Sequence, residues 1–347
     1  MNLKNSKPLT FKKDIVEAEF KTSDGKLQRT SIEIRIDPIT GRTSRIAFSR
    51  SREKEPGTKT LPQPPPDAFA ESNCPFCPGN VLSQTPTLRS DIFNQDRLCR
   101  GESILFPNLF PYGAYSAVSL IGSRHFVEIG TASPKEYTDS MLNCINYLKQ
   151  INKFDKRVCN LAITQNHLPS AGGSLVHPHL QINAEVIPAN YQLFFRNKSA
   201  EFQKLTNRPL FSEYIKAEKR DKARYIGKTG RWEWCAAFAP EGFFEIWAIL
   251  PDIFSMFTPK DRDWADLCQG IINVQKFYRS LNRNGYNLGL ISYESSESAM
   301  ELRLKMLVRS NHAAWVRNDH TGFEVMLGDM VTFTPPEDTA LAARSFF

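Results

Sequence analysis

The chain has 347 residues, 41% of them hydrophobic, and 44 Lys and Arg against 37 Asp and Glu give a net charge of +7. That length sets an expectation of two domains or one large one, with enough apolar residues for a real core. Both signs of charge are interspersed after about residue 60, which argues against a nucleic-acid partner and for a pocket that takes a small anion. No apolar run approaches the roughly 18–20 residues of a membrane span, and Met1-Asn2-Leu3-Lys4-Asn5 lacks the apolar stretch of a signal peptide.

Residues 9–48 read as short strands. Ser31 to Ile36 alternates polar and apolar, and Asp37-Pro38-Ile39-Thr40-Gly41 is a turn. Residues 53–73, rich in proline and charge, read as a surface loop. Cys74-Pro75-Phe76-Cys77-Pro78-Gly79-Asn80 then forms a tight knuckle, in which two thiolates three residues apart suit one Zn²⁺. No second Cys-x-x-Cys exists, so the remaining ligands come from elsewhere. Histidine is the natural choice among only six, and His125, past the apolar strand Ala117 to Ile121, and His177 are the candidates. The alternative is a metal-free or redox dithiol, against which the Pro-Gly-Asn continuation argues. The other five cysteines, Cys99, Cys144, Cys159, Cys235 and Cys268, are scattered in apolar surroundings and are expected reduced and mostly buried, which fits a reducing cytoplasm.

Beyond the knuckle the chain repeats itself. Ser133-Pro134-Lys135-Glu136 and Thr258-Pro259-Lys260-Asp261 each read as a helix start with a hydroxyl N-cap, proline at N1 and an acid at N3. A strand follows each helix, Asn160 to Ile163 and Asn287 to Leu290, and a second alternating strand follows that, His177 to Asn183 and Glu301 to Leu307. The three offsets are 125, 127 and about 124 residues. The expected fold is α+β, two tandem copies of an antiparallel-sheet-plus-helix unit, divided at 1–205 and 206–347. Where the first copy has His179 and Gln181, the second has Arg303 and Lys305.

Chemistry concentrates in the first copy. In His177-Pro178-His179-Leu180-Gln181, residues two apart on an extended strand share a face, so two imidazoles and an amide stand together. Upstream, Pro169-Ser170-Ala171-Gly172-Gly173-Ser174 is a small-residue loop that can approach a ligand closely. This is the constellation for group transfer through a covalent histidine. His179 would attack the α-phosphorus of a nucleotide, Gln181 would donate to a nonbridging oxygen, and Ser174 with the Gly172 and Gly173 amides would hold the departing phosphate. The alternative is that both histidines bind metal, as His-x-His does on cupin-type strands.

Cys74-Pro-Phe-Cys77 and the ungapped stretch Asn166 to Gln181, ending His-Pro-His-x-Gln, resemble the galactose-1-phosphate uridylyltransferase branch of the histidine-triad (HIT) superfamily, over roughly residues 30–347. The resemblance implies a HIT-like fold in both copies, a structural zinc held by Cys74, Cys77, His125 and His177, and nucleotidylation of His179. It places Gln181, Ser174 and Asn166 around the phosphates, Asn108 in the nucleoside pocket, and Arg50, with Arg52 as a neighbouring candidate, facing phosphate. Relatives of this branch are often dimers, so a homodimer is expected.

The chain also departs from the uridylyltransferases. Arg303 and Lys305 stand where those enzymes carry histidines of a second metal site, so no iron site is expected. The hexose-binding Tyr-Glu pair has no counterpart in Phe323 to Asp329. That segment, Pro335 to Asp338 and Phe244 to Pro251 look more like ADP-glucose phosphorylase and adenylylsulfate:phosphate adenylyltransferase (ADP sulfurylase). The expectation is therefore adenylyl transfer between an adenylylated donor, adenylylsulfate or ADP-glucose in type, and inorganic phosphate, with Arg303 and Lys305 near the acceptor. The alternatives are a UDP-glucose:hexose-1-phosphate uridylyltransferase and a non-catalytic nucleotide sensor or zinc scaffold.

Overall fold

The structure is a computed structural model that describes residues 9–47, 60–63, 70–309 and 326–347. Arg50, Arg52 and the segment 323–325 lie outside the described residues. The N-terminal part forms a small sheet of β1 (Lys12–Lys21), β2 (Leu27–Ile36) and β3 (Thr43–Ala47), closed by a parallel strand near the C-terminus, β14 (Met330–Thr332). β1 and β2 run ten residues each, longer than the short strands expected. The turn at Asp37 forms as expected, its Oδ1 accepting from the amides of Ile39 and Thr40 at 2.9 and 2.7 Å.

A ten-stranded antiparallel sheet makes the body. Its first half contains β4 (Leu98–Arg100), β5 (Ser103–Pro107), β6 (Tyr115–Leu120), β7 (Asn160–His167) and β8 (His179–Glu185). Its second half contains β9 (Tyr225–Thr229), β10 (Trp232–Ala236), β11 (Phe243–Leu250), β12 (Tyr286–Tyr293) and β13 (Leu302–Val308). The spatial order β4-β5-β6-β8-β7-β12-β13-β11-β10-β9 reads the same from either end once the halves are superposed, so the repeat seen in the sequence is a pseudo-twofold about the β7–β12 pair. That pair is antiparallel over eight residue pairs, from Tyr286–His167 to Tyr293–Asn160.

The third strand of each half leads through a long helix to the fourth. After a short first helix, α1 (Val81–Gln84), these are α2 (Pro134–Phe154) between β6 and β7, and α5 (Asp261–Ser280) between β11 and β12. α2 starts as expected: Ser133 caps it, Pro134 takes N1, and the Glu136 carboxylate accepts from the Ser133 amide at 2.9 Å. α5 starts two residues later than expected. The Thr258 amide is spent in a turn to Ser255 O, so Lys260 becomes the N-cap and Asp263 accepts from its amide at 2.9 Å.

Strand alternation sorts the two faces of the sheet. Leu161, Ile163, Leu180, Ile182, Leu288, Leu290, Leu304 and Met306 face α2 and α5 in one buried cluster, each contributing about 1.5–3 kcal/mol over exposure. The residues between them point to the opposite face: His179, Gln181 and Asn183 on β8, Thr164 and Asn166 on β7, Asn287 and Gly289 on β12, Arg303 and Lys305 on β13. α3 (Asn190–Thr206) and α4 (Leu210–Asp221) cover this polar face over the second half through Phe195, Phe211 and Tyr214. Of the five scattered cysteines, Cys144, Cys235 and Cys268 are buried as expected, whereas Cys159 is half-buried and Cys99 exposed.

Candidate active site and metal centre

The knuckle folds back on itself through Cys77 N to Cys74 O, and Asn80 Nδ2 donates to Cys74 O at 2.9 Å. This turns both thiols inward toward His125 and His177. One ligand atom from each of the four residues lies within 4.8 Å of all the others, and all four residues are buried. Cys77 Sγ lies 3.3 Å from His125 Nδ1 and 3.8 Å from His177 Nδ1, and Cys74 Sγ lies 3.9 Å from His177 Nδ1. In a tetrahedral S₂N₂ site, metal–ligand bonds of about 2.0–2.3 Å put neighbouring S and N roughly 3.6 Å apart, so the cage has the right size and donor set for a metal ion. Burial holds the His177 imidazole down to about 4, hence neutral as a ligand must be. Burial, then Cys74, pushes the Cys77 thiol up to about 12, so a cation is what favours the two thiolates side by side.

His177 and His179 have different surroundings. β8 begins only at His179, and the chain before it is tied to the first half by Ile121 N to Pro178 O at 2.9 Å. His177 enters the cage while its carbonyl accepts from His179 Nδ1 at 2.8 Å. That bond puts the proton on Nδ1 and leaves the lone pair on Nε2. Burial lowers the His179 pKa, favouring the neutral ring. Phe76, between the knuckle cysteines, packs edge-on against His179 at 5.3 Å and against Phe106 at the same distance. The cage thus holds both the carbonyl that orients His179 and the ring that walls it. The position of Phe76 inside the Cys-x-x-Cys was visible in the sequence, but its contact was not.

The small-residue loop is arranged differently from the expectation. Gly172 N donates to Pro169 O and Gly173 N to Leu168 O, both at 3.0 Å, so neither amide is offered to a phosphate. The glycines serve the turn instead: Gly172 has φ +91°, and a Cβ on Gly173 would stand 2.9 Å from Asn166 O. Leu168 itself holds φ +72° and ψ 163°, a conformation suited to glycine. Ser174 is exposed at the loop's end.

On the polar face Gln181 pairs with Val118 on one side and Thr164 on the other. Asn183 follows it, its Oδ1 buried with no partner among the described residues. Asn166 lies two residues beyond Thr164, toward His179, and Asn287 stands opposite it on β12. Asn108 sits in a turn after β5, its Oδ1 accepting from Phe110 N at 3.0 Å, toward the other end of these strands. A Cβ on Gly289 would meet nothing within 4 Å, so the sheet surface between Thr164 and Lys305 is open.

Arg303 and Lys305 are not brought to His179. They lie on β13, three strands from β8, or about 14 Å at ~4.8 Å per strand. Arg303 is buried with its guanidinium 4.3 Å from the Phe195 ring and 4.4 Å from Trp247, and Lys305 Nζ pairs with Glu241 at 2.7 Å. The expectation that they stand beside His179 is not met, because the strand order, which the sequence does not state, places two strands between β8 and β13.

No family model matches the chain. Among known proteins it is similar to an uncharacterized protein of Archaeoglobus fulgidus, 27% identical over 344 residues and covering 98% of this chain and 99% of the relative. Among solved structures, an ADP-glucose phosphorylase from Arabidopsis thaliana with bound ADP-glucose superposes with a TM-score of 0.69 at 22% identity, over 90% of this chain and 98% of the other. A GalT-like protein from the same plant gives 0.67 at 21%, over the same shares. A uridylyltransferase gives 0.66 at 16%, again over 90% and 98%. The chain therefore has the fold of these structures, in agreement with the fold expected from the sequence.

Proposed function

We propose that the protein is a nucleotidyltransferase working through a covalent nucleotidyl-histidine at His179. The observation that carries this reading is the 2.8 Å bond from His179 Nδ1 to His177 O, which leaves Nε2 as the nucleophile of a neutral imidazole. Nε2 attacks the α-phosphorus of the donor, the phosphorus–oxygen bond to the leaving group breaks, and sulfate or a sugar 1-phosphate departs. An oxygen of the acceptor then attacks the same phosphorus, the N–P bond breaks, and its electron pair returns to the ring. Gln181 and Asn166 would donate to nonbridging oxygens, Ser174 would contact the departing group, and Asn108 with the neighbouring loop would hold the nucleoside.

Cys74, Cys77, His125 and His177 would hold zinc. Bound there, the ion would have four protein ligands and no open position, and would act by fixing His177 and the knuckle. The donor is an adenylyl compound and the acceptor inorganic phosphate. Support comes from the missing sugar-binding Tyr-Glu pair and the likeness to a phosphorylase structure that holds ADP-glucose. A second reading, UDP-hexose with a hexose 1-phosphate, is favoured by the superposition of a uridylyltransferase at a TM-score of 0.66, close to the 0.69 of the phosphorylase.

The test is intact-protein mass after exposure to ADP-glucose, adenylylsulfate and UDP-glucose, with metal content measured on the same sample. One acid-labile AMP per chain, lost in His179→Ala, and one zinc per chain are expected. A UMP adduct from UDP-glucose alone selects the second reading, and no adduct from any donor overturns both.

A further inference from the structure

The polar face holds a chain of three side chains that spans both copies. Arg309 Nη1 donates to Asn287 Oδ1 at 2.9 Å. Asn287 Nδ2 donates to Asn166 Oδ1 at 2.7 Å and to Ala171 O at 2.8 Å. Two of these residues belong to the second copy and Asn166 to the first, 121 residues from Asn287 in sequence.

The polarity of this chain is forced. An amide side chain has one end that accepts and one that donates, and the two are easily interchanged. A guanidinium only donates, so Asn287 must turn its oxygen to Arg309. A backbone carbonyl only accepts, so Asn287 must turn its nitrogen to Ala171, and the same nitrogen then meets Asn166. Asn166 can satisfy it only with its oxygen. The Asn166 amide hydrogens are thereby left pointing away from Asn287, and no side-chain or backbone group among the described residues takes them.

We infer that Arg309 and Asn287 are positioning residues that lock Asn166 as a hydrogen-bond donor to the phosphate of a bound nucleotide. The second copy therefore contributes to the site through orientation, and its Arg303 and Lys305 do not. Without the lock, Asn166 can present either its oxygen or its nitrogen, and an oxygen facing a phosphate is repelled. The bond to Ala171 O also pins the loop that runs from Leu168 to Ser174, so one amide fixes two walls of the site. This inference rests on the site assignment of the proposed function, but its test does not require turnover.

The experiment measures the affinity of the full-length protein for 5′-AMP and 5′-UMP by calorimetry, with the melting temperature recorded for each variant. Asn287→Asp is the decisive substitution. It is nearly isosteric and keeps an acceptor for Arg309, but it has no donor, so Asn166 must turn its own nitrogen inward. Asn287→Ala removes the lock without reversing it. The expected affinity order is wild type, Asn287→Ala, Asn287→Asp, with losses on the order of 10-fold and 100-fold. Arg309→Lys, which still only donates, should stay within about threefold of wild type, while Arg309→Leu should fall with Asn287→Ala.

A purely structural role predicts the reverse order, because aspartate preserves the bond to Arg309 and alanine preserves nothing. Aspartate binding as well as or better than alanine overturns the inference, as does a wild type that binds neither nucleotide. Absence of a covalent adduct in a wild type that shows the expected order would overturn the proposed function and leave the orienting chain standing.

Discussion

His179 owes its orientation to a neighbour two residues away, and that neighbour's ring belongs to a different structure, the cage of Cys74, Cys77 and His125. In the proposed reaction such coupling would make small displacements costly, because in-line attack tolerates little misplacement of the nucleophile or of the groups around the phosphate. Gly173 tests this at the scale of one methyl group. Its Cβ would stand 2.9 Å from Asn166 O and 3.1 Å from Leu168 O, both backbone atoms that cannot swing aside. Gly173→Ala should therefore push the β7 end and the loop apart while leaving the core intact. The expected result is a fall in the rate of His179 nucleotidylation on the order of 100-fold, with circular dichroism unchanged. A rate within about twofold of wild type would show that the loop adapts at no cost to the site. The need for glycine at 172 and 173 was legible in the sequence, but its reason was not. A Gly-Gly pair near histidines suggests amides offered to phosphate, whereas here those amides close the turn that carries Leu168 at φ +72°.

Among the elements, α6 (Pro336–Ala343) shows how the chain ends are secured. Its Glu337 accepts from Arg35 of β2 at 2.7 Å and from Arg224 at 2.9 Å, and Arg224 Nε reaches Glu218 of α4 at 3.0 Å. The two acids titrate in opposite senses. Burial, outweighing Arg224, raises Glu218 from its ordinary 4.5 to about 7. The folded protein then holds this proton where the unfolded chain has released it, so stability falls as pH rises from about 4.5 to about 7. For Glu337, burial is outweighed by Arg35 and Arg224, which hold it near 2, so its contribution is present above about 4.5 and is lost as pH falls toward 2. Glu218→Gln should therefore flatten the decline in melting temperature between about pH 5 and pH 7. A variant that declines as steeply as wild type would show that Glu218 is already ionised in the fold at pH 5. None of this network could be read in advance, because its members are up to 302 residues apart and each alone looks like a surface charge. The element starts were partly legible. Ser133-Pro134-Lys135-Glu136 spells a capping box and forms one, while Thr258-Pro259-Lys260-Asp261 spells the same but spends its first amide in a turn. Local signals mark a helix start only when the preceding chain leaves the N-cap free. Asn287 and Arg309 carry no local signal at all, since their roles exist only once β12 lies beside β7.

For the whole molecule, the repeat and the continuous sheet make opposite claims about independence. A tandem duplication suggests halves that fold alone, with a division near residue 205. The sheet argues against it. Removing the second copy would strip β7 of its eight-residue pairing with β12 and leave a row of unpaired backbone groups along an open sheet edge. It would also uncover the side of α2 that packs on α5 and break a buried hydrogen-bond chain across the seam. In that chain Gln275 Nε2 donates to Tyr286 Oη, and Tyr286 Oη donates to Gln165 Oε1, both at 2.9 Å. Gln165 Oε1 would keep the bond it accepts from Tyr137 Oη, so losing Tyr286 costs about 0.5–1.5 kcal/mol, before the apolar surface is counted. Residues 1–205 expressed alone should therefore not persist as a monomer. The pseudo-twofold supplies the expected escape, because the exposed β7 edges of two such pieces can pair with each other as β7 pairs with β12. Size-exclusion chromatography should show self-association. Intact mass should show a nucleotide adduct that forms more slowly than in the full chain, since Asn287 and Arg309 are gone although His179, Cys74, Cys77, His125 and His177 remain. A monomeric 1–205 that becomes nucleotidylated as fast as the full chain would mean that the second copy is dispensable to both fold and site, and that the open sheet edge at β7 is tolerated in water.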